Sequence, residues 1–276
     1  MKFFDEVITS RQNRIVVDTV KLGEKKARES VGLFRFDGVK LLEEALLKGV
    51  VIKRILLCQS KAEAILQRLG ACEDKLEGIA VSVLEDSVFS KVSEESAPEG
   101  VICVAEFPKR HVRRAGKDEL LETAKDKSRR VLLLESVRDP GNMGTVMRSA
   151  AAFGVDTMVI SRDCADVYNP KTVRGAMGAL FKMNIFVFED IKEAIECLRE
   201  NGRRVYAAAL DKSAVRLDEV SFDKGDAVII GNEGHGLTSE TVSACDRSLY
   251  IPMEEGSESL NAAIAASVIM WNMYKG

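Results

Sequence analysis

Apolar positions recur along the chain with two periods, one typical of amphipathic helices and one of buried strands. In residues 1–107, short apolar runs alternate with helical stripes that end at glycines such as Gly49, which predicts a small α/β unit. The segments predicted as helices are 10–29, 38–48, 62–69 and 86–92. The segments predicted as strands are 34–36, 52–58, 79–83 and 101–106.

The alternation restarts after residue 130 with longer apolar runs. Predicted strands are 131–135, 155–161, 185–188, 205–210, 227–231 and 249–253. Predicted helices are 143–153, 171–180, 191–201, 239–244 and 259–274. Continuous apolar strands joined by helices predict a parallel sheet that is covered on both faces.

Residues 108–128 are polar and basic, with one short helical patch, and are typical of a linker. The pattern therefore divides the chain into a domain at 1–107, a linker at 108–128 and a second domain at 129–276. Residues 110–130 hold eight basic and four acidic residues, although the net charge of the chain is −3. This local charge fits an RNA-binding surface and a solvated surface equally well.

The composition, 46% hydrophobic and 30% charged, excludes a fully disordered chain. The longest apolar stretch, near 262–270, is too short to cross a bilayer, and no signal peptide is visible. Six cysteines without a C-x-x-C pair indicate reduced, buried thiols, and the two histidines form no zinc spacing. We therefore expect a cytoplasmic protein with no metal and no membrane partner.

Three loops carry the candidate chemistry, at 137–154, 229–238 and 251–267. Each follows a predicted strand and opens a helix, and ligands of parallel sheets bind at the carboxyl ends of strands. Each also mixes glycine with small polar residues, so that backbone amides can approach a ligand. A dinucleotide-binding fingerprint is not matched, because Gly141 and Gly144 have the wrong spacing.

In order and spacing, the three loops resemble the motifs of the SpoU (TrmH-like) branch of the SPOUT methyltransferases. The residues that carry the resemblance are Asp139, Pro140, Asn142, Gly144 and Arg148 in the first loop, Gly231, Glu233 and Gly236 in the second, and 251–253 with 259–261 in the third. A further similar stretch is 169–181, which includes Arg174 and Gly178. The resemblance covers 131–276.

Residues 1–107 resemble, more loosely, the L30e-like RNA-binding domain that precedes many such catalytic domains. The similarity lies in residues 10–14, 34–46 and 97–104. The resemblance implies an RNA-binding role for basic residues of this region and of the stretch 169–181. We expect RNA contacts from Arg11, Arg14, Lys25, Arg28 and Arg174.

The resemblance also implies a C-terminal trefoil knot, S-adenosylmethionine as cofactor, and a homodimer in which two subunits complete each active site. The catalytic residues that it implies are Arg148, Asn142, Glu233, Ser259 and Asn261. The cofactor-binding residues are Leu210, Gly231, Gly236, Ile251, Met253 and Leu260. The apolar helix at 259–274 would form either the dimer interface or a helix buried within one subunit.

Several roles stay open on the sequence alone. Arg148 falls opposite the buried stripe of its helix, and it acts either as a base, as the family scheme has it, or as a phosphate clamp. A clamp suits a guanidinium better, because its pKa lies above about 12. Asn142 is expected to be the N-cap of that helix, and Glu233 to accept backbone amides or to pair with Arg148. No histidine or cysteine is expected to act as the base.

Two departures from the family pattern concern the substrate. Ala176 stands where the family often has serine, which would alter an RNA contact. Glu254 and Glu255 place acids beside an expected RNA site and shift the loop glycine by one position. Substrate choice would depend on both features.

The resulting hypothesis is a ribose 2′-O-methyltransferase that acts on ribosomal RNA rather than transfer RNA. The alternatives are a transfer-RNA enzyme, base methylation by another SPOUT branch, and an RNA-binding assembly factor without catalysis. The presence of Asn142, Arg148, Glu233 and Asn261 argues against the last of these. Locating the methyl group on ribose or on base by mass spectrometry separates ribose methylation from base methylation.

Overall fold

The computed structural model of the protein describes residues 6–93, 97–254 and 259–275, with the side chains of 71–73 outside that description. Contacts divide the chain into two compact units. The first comprises Met1–Pro108 and Tyr168–Phe181, and the second comprises Lys109–Val167 and Lys182–Gly276.

Most predicted elements are present, with ends moved by a few residues. The strands are β1 (Val7–Ile8), β2 (Leu33–Asp37), β3 (Ile52–Cys58), β4 (Ala80–Leu84), β5 (Val101–Glu106), β6 (His111–Ala115), β7 (Arg130–Leu134), β8 (Val155–Ser161), β9 (Asn184–Phe188), β10 (Val205–Ala208), β11 (Val215–Arg216), β12 (Ala227–Ile230) and β13 (Arg247–Tyr250). The helices are α1 (Arg14–Lys21), α2 (Lys25–Val31), α3 (Val39–Leu47), α4 (Ala62–Arg68), α5 (Glu73–Leu76), α6 (Asp86–Val92), α7 (Lys117–Lys125), α8 (Pro140–Ala152), α9 (Pro170–Ala176), α10 (Ile191–Glu200), α11 (Ser239–Ala244) and α12 (Ala262–Lys275).

The first unit is built on a mixed sheet whose described strands lie in the order β1-β4-β3-β5-β2. Strand β4 is parallel to β1 and β3, whereas β5 is antiparallel to β2 and β3. Leu56, Leu84 and Ile102 from three neighbouring strands share a buried core with Phe89 of α6. The α/β pattern predicted for this region is confirmed.

A segment from later in the chain completes the core of the first unit. The ring of Tyr168 lies 4.0 Å from that of Phe107 and 4.9 Å from that of Phe34. The ring of Phe181 lies 5.3 Å from that of Phe36. Aromatic side chains of this size contribute much of a core's apolar burial. Residues 168–181 therefore pack with the first unit although they follow β8 of the second.

The single helix predicted at 10–29 is wrong, because α1 and α2 are separated by a turn at 22–24. Arg28 of α2 is only 2% exposed and donates hydrogen bonds to the carbonyls of Leu22 (2.8 Å) and Gly23 (2.7 Å). A continuous helix would have used those carbonyls itself. The buried guanidinium and the turn therefore stabilise each other.

The second unit contains a sheet whose described strands lie in the order β11-β13-β10-β12-β7-β8-β9-β6. Every pair of neighbours in this order is parallel. Val131 and Leu133 of the central strand β7 share a core with helices α7 and α10. Leu132 and Leu134, which point to the opposite face, are equally buried. The predicted parallel sheet with two covered faces is confirmed.

In the segment 108–128, where a linker was expected, residues from Lys109 onward belong to the second unit and form a strand and a helix. Strand β6 pairs with β9, with His111 opposite Ile185 and Val112 opposite Phe186. Helix α7 buries Leu120 and Ala124 in the same core as α10. Many charged residues lie between these apolar positions, so the apolar periodicity of the segment is only partly visible in the sequence.

The buried side chain of Arg203, just before β10, attaches the end of α7 to the sheet. It donates to five backbone carbonyls, those of Thr123, Ala124, Asp126, Arg129 and Gly225. Burial lowers the pKa of Arg203. The carbonyls at the helix C-terminus offset the lost hydration, because that end of a helix attracts cations.

We predict that Arg203→Ala lowers the free energy of unfolding by about 3 kcal/mol or more, because five carbonyls lose their donor. The control is Arg162→Ala, which removes an exposed ion pair with Glu189 (2.6 Å) and costs less than about 1 kcal/mol. Urea unfolding followed by circular dichroism measures both. Equal, small losses would show that Arg203 does not hold α7.

Candidate functional site

The strands that precede the three candidate loops lie close together in the parallel sheet, with only β10 between β12 and β13. Strand β7 pairs with β12, β12 with β10, and β10 with β13, so their carboxyl ends lie along one edge. The ladder between β7 and β12 continues one step further, because the backbone N–H of Glu135 donates to the carbonyl of Ile230 at 2.9 Å. The loops therefore begin side by side.

The first loop enters α8 through a proline. Pro140 is the first helical residue, where the fixed φ of proline suits a helix and its missing N–H is not needed. Asp139 is the N-cap, and its Oδ1 accepts from the backbone N–H of Asn142 at 2.8 Å. The expectation that Asn142 caps this helix is wrong. Its side-chain amide is instead available to partners outside the helix.

The side chain of Asn142 connects all three loops. Its Nδ2 donates to Oε1 of Glu233 in the second loop at 2.7 Å. Its Oδ1 accepts from Nδ2 of Asn261 in the third loop at 3.0 Å. The NH₂ group and the carbonyl oxygen of the Asn142 side chain therefore each have a hydrogen-bond partner. Asn142, Glu233 and Asn261 form one hydrogen-bonded chain, which we call the loop bridge.

The third loop is anchored at its end by Asn261. Its Oδ1 accepts from the backbone N–H groups of Ala263 (2.9 Å) and Ile264 (3.3 Å) and so caps α12. The helix begins at Ala262, later than the predicted start at 259. Ser259 is exposed and precedes the helix. Asn261 thus serves both as a cap and as a member of the loop bridge.

The second loop makes a tight turn over its own start. Asn232 and Gly236 exchange two backbone hydrogen bonds, of 3.0 and 2.9 Å. Gly236 has φ +68°, a conformation that favours glycine. A Cβ on Gly231 would overlap the carbonyl of Gly236 and lie 2.5 Å from the backbone nitrogen of Leu237. Only glycine at position 231 permits this close approach.

Two residues that the sequence analysis missed hold the second loop. The Oδ1 of Asn232 accepts from the backbone N–H of Gly234 at 2.8 Å, and its Nδ2 donates to the carbonyl of Ser136 at 2.8 Å. The buried carboxylate of Glu135 accepts from Thr238 N (2.9 Å) and Thr241 Oγ1 (2.6 Å) at the start of α11. The only sequence signal for either residue is its place beside a motif position.

Arg148 lies on the exposed face of α8, as its helical position predicts. Among the described residues it has no hydrogen-bond or ion-pair partner, and Glu233 bonds Asn142 instead. Arg148 follows Asn142 by six residues, which is about 9 Å along the helix axis and roughly 120° around it. The two side chains therefore leave α8 in different directions.

The residues expected to bind a cofactor lie at the carboxyl ends of β10, β12 and β13 or just before α12. Leu210 is 81% exposed, and Met253 and Leu260 are also exposed, which is unusual for apolar side chains so close to one sheet edge. Gly231 is buried and Ile251 is half-buried. This edge therefore offers apolar surface together with glycine backbone.

The residues expected to contact RNA in the first unit differ in accessibility. Arg11, Arg14 and Lys25 are exposed, and Arg14 forms an ion pair with Asp18 at 3.5 Å. Arg28 is buried against Leu22 and Gly23, so its predicted RNA contact is wrong. Its guanidinium is used to stabilise the turn between α1 and α2.

The remaining predicted substrate features lie in or near the later motifs. Arg174 is half-buried in the last turn of α9. Ala176 is 0% exposed, so a side chain at this position faces the core rather than a ligand. Glu254 is exposed, and Glu255 lies outside the described residues.

The thiols of Cys164 and Cys245 offer no base. The described cysteine side chains are free, as expected, and most are buried. Burial raises the pKa of Cys164 to about 11 and that of Cys245 to about 12, so both stay protonated near neutral pH. His235 lies in the turn of the second loop with an exposed side chain, although no histidine was expected to act as a base.

The part of the chain that the structure describes contains neither a membrane-spanning helix nor a cluster of metal ligands. None of its helices combines the length and the apolar character that crossing a bilayer requires. None of its His, Cys, Asp and Glu side chains gather in threes as a metal site would need.

Comparison with family models covers both parts of the chain. Residues 129–271 match the SpoU rRNA Methylase family, and residues 13–103 match the MRM3-like substrate binding domain. The first match includes all three motif loops and the loop bridge.

Relatives match along nearly the whole chain. A Bacillus subtilis protein, 23S rRNA (guanosine(2553)-2′-O)-methyltransferase RlmP, is 34% identical over 96% of this chain and 98% of its own. The 23S rRNA (uridine(2479)-2′-O)-methyltransferase of Streptomyces viridochromogenes is 27% identical over 96% and 90%. The AdoMet-bound rRNA methyltransferase of Sinorhizobium meliloti has a TM-score of 0.83 and 27% identity, covering 98% of this chain and 97% of that one. Together with the loop geometry, these matches show that the chain belongs to the SpoU methyltransferase family.

Proposed function

We propose that the protein transfers a methyl group from S-adenosylmethionine to a ribose 2′-hydroxyl of ribosomal RNA. The observation that carries this proposal is the loop bridge, which joins the three motif loops of a SpoU domain through Asn142, Glu233 and Asn261. The relatives named as 23S rRNA 2′-O-methyltransferases support ribosomal RNA over transfer RNA.

The sheet edge fits S-adenosylmethionine. The backbones of Gly231 and Gly236 approach so closely that no side chain fits at position 231, which suits a ligand held by main-chain hydrogen bonds. Leu210, Met253 and Leu260 offer exposed apolar surface for an adenine ring. With Ile251, these residues would hold the cofactor, whose sulfonium supplies an electrophilic methyl group.

The polar residues would align the ribose with that methyl group. Asn142 and Asn261 hold the first and third loops at a fixed separation, and Glu233 holds the second. Ser259, exposed just before α12, would add a hydrogen bond to ribose or cofactor. Such alignment lowers the barrier, because a ribose hydroxyl is a poor nucleophile.

Arg148 would act as a phosphate clamp. Its exposed guanidinium is without a partner in the described ranges, so it can bind a phosphodiester and stabilise the developing alkoxide. Its separation from Asn142 along and around α8 supports a role in the site of a second subunit. Sedimentation velocity tests for the homodimer that this requires.

Helix α12 offers a surface for that dimer. It packs on α8, where Ser267 Oγ donates to Ser149 Oγ at 2.8 Å, and it exposes Ile264, Val268 and Trp271 on its outer side. An exposed apolar stripe of this kind is typical of an interface. It favours the dimer interpretation of the helix over complete burial within one subunit.

We further propose the domain division of the family. Residues 1–107 would be an L30e-like RNA-binding domain, supported by the match of 13–103 to a substrate-binding domain, and 129–276 the catalytic domain with a C-terminal trefoil knot. A crystal structure that traces the chain through 251–261 tests the knot. The free, buried cysteines support a cytoplasmic location, which cell fractionation tests.

We predict that Gly231→Ala weakens binding of S-adenosylmethionine at least about tenfold, which equals about 1.4 kcal/mol, because the added Cβ displaces Gly236. The control is Gly234→Ala, whose Cβ would meet only Asn232 Oδ1 at 3.5 Å and should change binding less than about twofold. Calorimetry measures both. Unchanged binding in Gly231→Ala would place the cofactor elsewhere.

We predict that Arg148→Ala and Asn261→Ala each lower kcat for methyl transfer at least about a hundredfold, since the first removes the proposed phosphate clamp and the second the contact that fixes the third loop. Lys192→Ala, which removes only an ion pair with Asp190, is the control and should keep kcat. Radiolabelled methyl transfer to ribosomal RNA is the assay, and circular dichroism checks the fold. If both variants work at the wild-type rate, the site assignment is wrong.

Mixing the two inactive variants tests the shared site. Random exchange of subunits leaves half of the dimers mixed, each with one intact site of two, so activity should return to about a quarter of wild type. The methyl-transfer activity of the mixture must exceed that of either variant alone. No recovery after confirmed subunit exchange would show that Arg148 serves its own subunit.

We predict that Arg11→Gln with Arg14→Gln weakens RNA binding and reduces the slope of log affinity against log salt by about 2, because two phosphate contacts are lost. The control is Lys53→Gln, an exposed lysine of the same unit that pairs with Glu106 at 2.8 Å. Filter binding across a salt series measures the slope. A slope equal to that of the control would show that Arg11 and Arg14 do not contact RNA phosphates.

A further inference from the structure

Asp163 lies two residues beyond β8, outside the three motif loops, and its carboxylate bonds residues of β8, of the chain just after β7 and of the first loop. Its Oδ1 accepts from Ser161 Oγ at 2.6 Å, and its Oδ2 accepts from Ser136 Oγ and from Arg138 Nη2 at 3.0 Å. Burial raises the pKa of Asp163, but these hydrogen bonds outweigh burial and hold the pKa below its usual value. The group is therefore a stable anion that organises donors.

The principal partner of Asp163 is a residue in an unfavourable backbone conformation. Ser136 follows β7 with φ +55°, in the left-handed region that non-glycine residues seldom adopt. Its three polar groups are all bonded: its N–H to Ser161 Oγ at 2.9 Å, its hydroxyl to Asp163 and its carbonyl to Asn232. Strain of this kind persists only where surrounding contacts over-determine it.

The strained residue holds the second loop. The carbonyl of Ser136 accepts from Asn232 Nδ2 at 2.8 Å, and Asn232 Oδ1 then accepts from the backbone N–H groups of Gly234 (2.8 Å) and His235 (3.2 Å). Glu233 lies inside this turn and begins the loop bridge through Asn142. Asn232 Nδ2 also donates to Glu233 Oε2 at 3.4 Å, so a continuous series of hydrogen bonds runs from Asp163 to the proposed catalytic residues.

We propose that Asp163 is a positioning residue for methyl transfer, which acts by holding Ser136 in its left-handed conformation and thereby sets the position of Asn232 and Glu233. Asp163 touches neither substrate nor cofactor in this scheme. The proposal rests on the proposed function for its effect on rate. Its structural content, the control of the second loop, does not depend on which reaction the site performs.

Hydrogen exchange measures the structural content directly. In Asp163→Ala the amides of Gly234 and Gly236, which bond Asn232, should exchange at least about tenfold faster than in the wild type, because local opening becomes easier. Glu189→Gln is the matched control, since it removes only the exposed ion pair with Arg162. Unchanged exchange in Asp163→Ala overturns the proposal.

Glycine rescue separates this mechanism from a general loss of structure. Asp163→Ala should lower kcat at least about tenfold, while Ser136→Gly alone should stay within about threefold of wild type, since glycine adopts positive φ without support. The double variant Asp163→Ala with Ser136→Gly should return close to the rate of Ser136→Gly. A double variant as slow as Asp163→Ala, or slower, contradicts the proposal.

The two readouts distinguish failure of this proposal from failure of the proposed function. Faster exchange in Asp163→Ala, reversed by Ser136→Gly, supports positioning even if the wild-type protein methylates no ribosomal RNA. A wild-type protein that methylates no ribosomal RNA would contradict only the proposed substrate. Normal exchange together with active wild-type enzyme would discard positioning by Asp163 and leave the proposed function standing.

Discussion

The amide side chain of Asn142 is hydrogen-bonded on both sides, to the carboxylate of Glu233 and to the amide of Asn261, and this pair of contacts unites the site. The three residues belong to loops that are far apart in the chain. Each loop carries glycine or small polar residues that cannot bury apolar area, so packing alone would hold them weakly. Direct polar contacts between the loops supply the missing constraint.

The parallel sheet makes those contacts possible. Because β7, β12, β10 and β13 are neighbours and all parallel, the loops that follow them start at one edge. The edge is then shaped by contacts that leave little freedom, with a capping Asp139 before Pro140, a Gly231 that lies against Gly236, and a Glu135 that holds Thr238. Backbone groups and exposed apolar side chains meet there, as a nucleoside-like ligand requires.

The elements of the fold were largely predictable, and the failures have physical causes. Buried strands such as β8 and helices such as α6 follow from apolar periodicity, which local sequence carries. The break between α1 and α2 depends on Arg28, whose burial against the carbonyls of Leu22 and Gly23 has no periodic signal. Helix α7 gave only a short helical patch in the sequence, because charged residues separate its apolar positions, and Arg203, which bonds its Ala124 carbonyl, lies 79 residues away.

The sequence predicted which residues form the candidate site better than it predicted how those residues are arranged. The motif residues Asn142, Glu233 and Asn261 were identified from their order and spacing. Their mutual hydrogen bonds were not, because Asn142 looked like a helix cap until Asp139 proved to hold that position. Residues that are not motif positions, such as Asn232 within the second loop and Asp163 outside the loops, carry no local pattern that marks them.

The amino-acid sequence by itself determined the two α/β regions, the parallel character of the second sheet, the family and the residues of the motif loops, because each depends on short-range pattern and spacing. Only the tertiary structure decided which side chains meet. It buried Arg28 against the carbonyls of Leu22 and Gly23, linked Asn142 to Glu233 and Asn261, and supported the strained Ser136 with Asp163. Contacts of this kind join residues distant in the chain, and their geometry exists only after the sheet has brought the strand ends together.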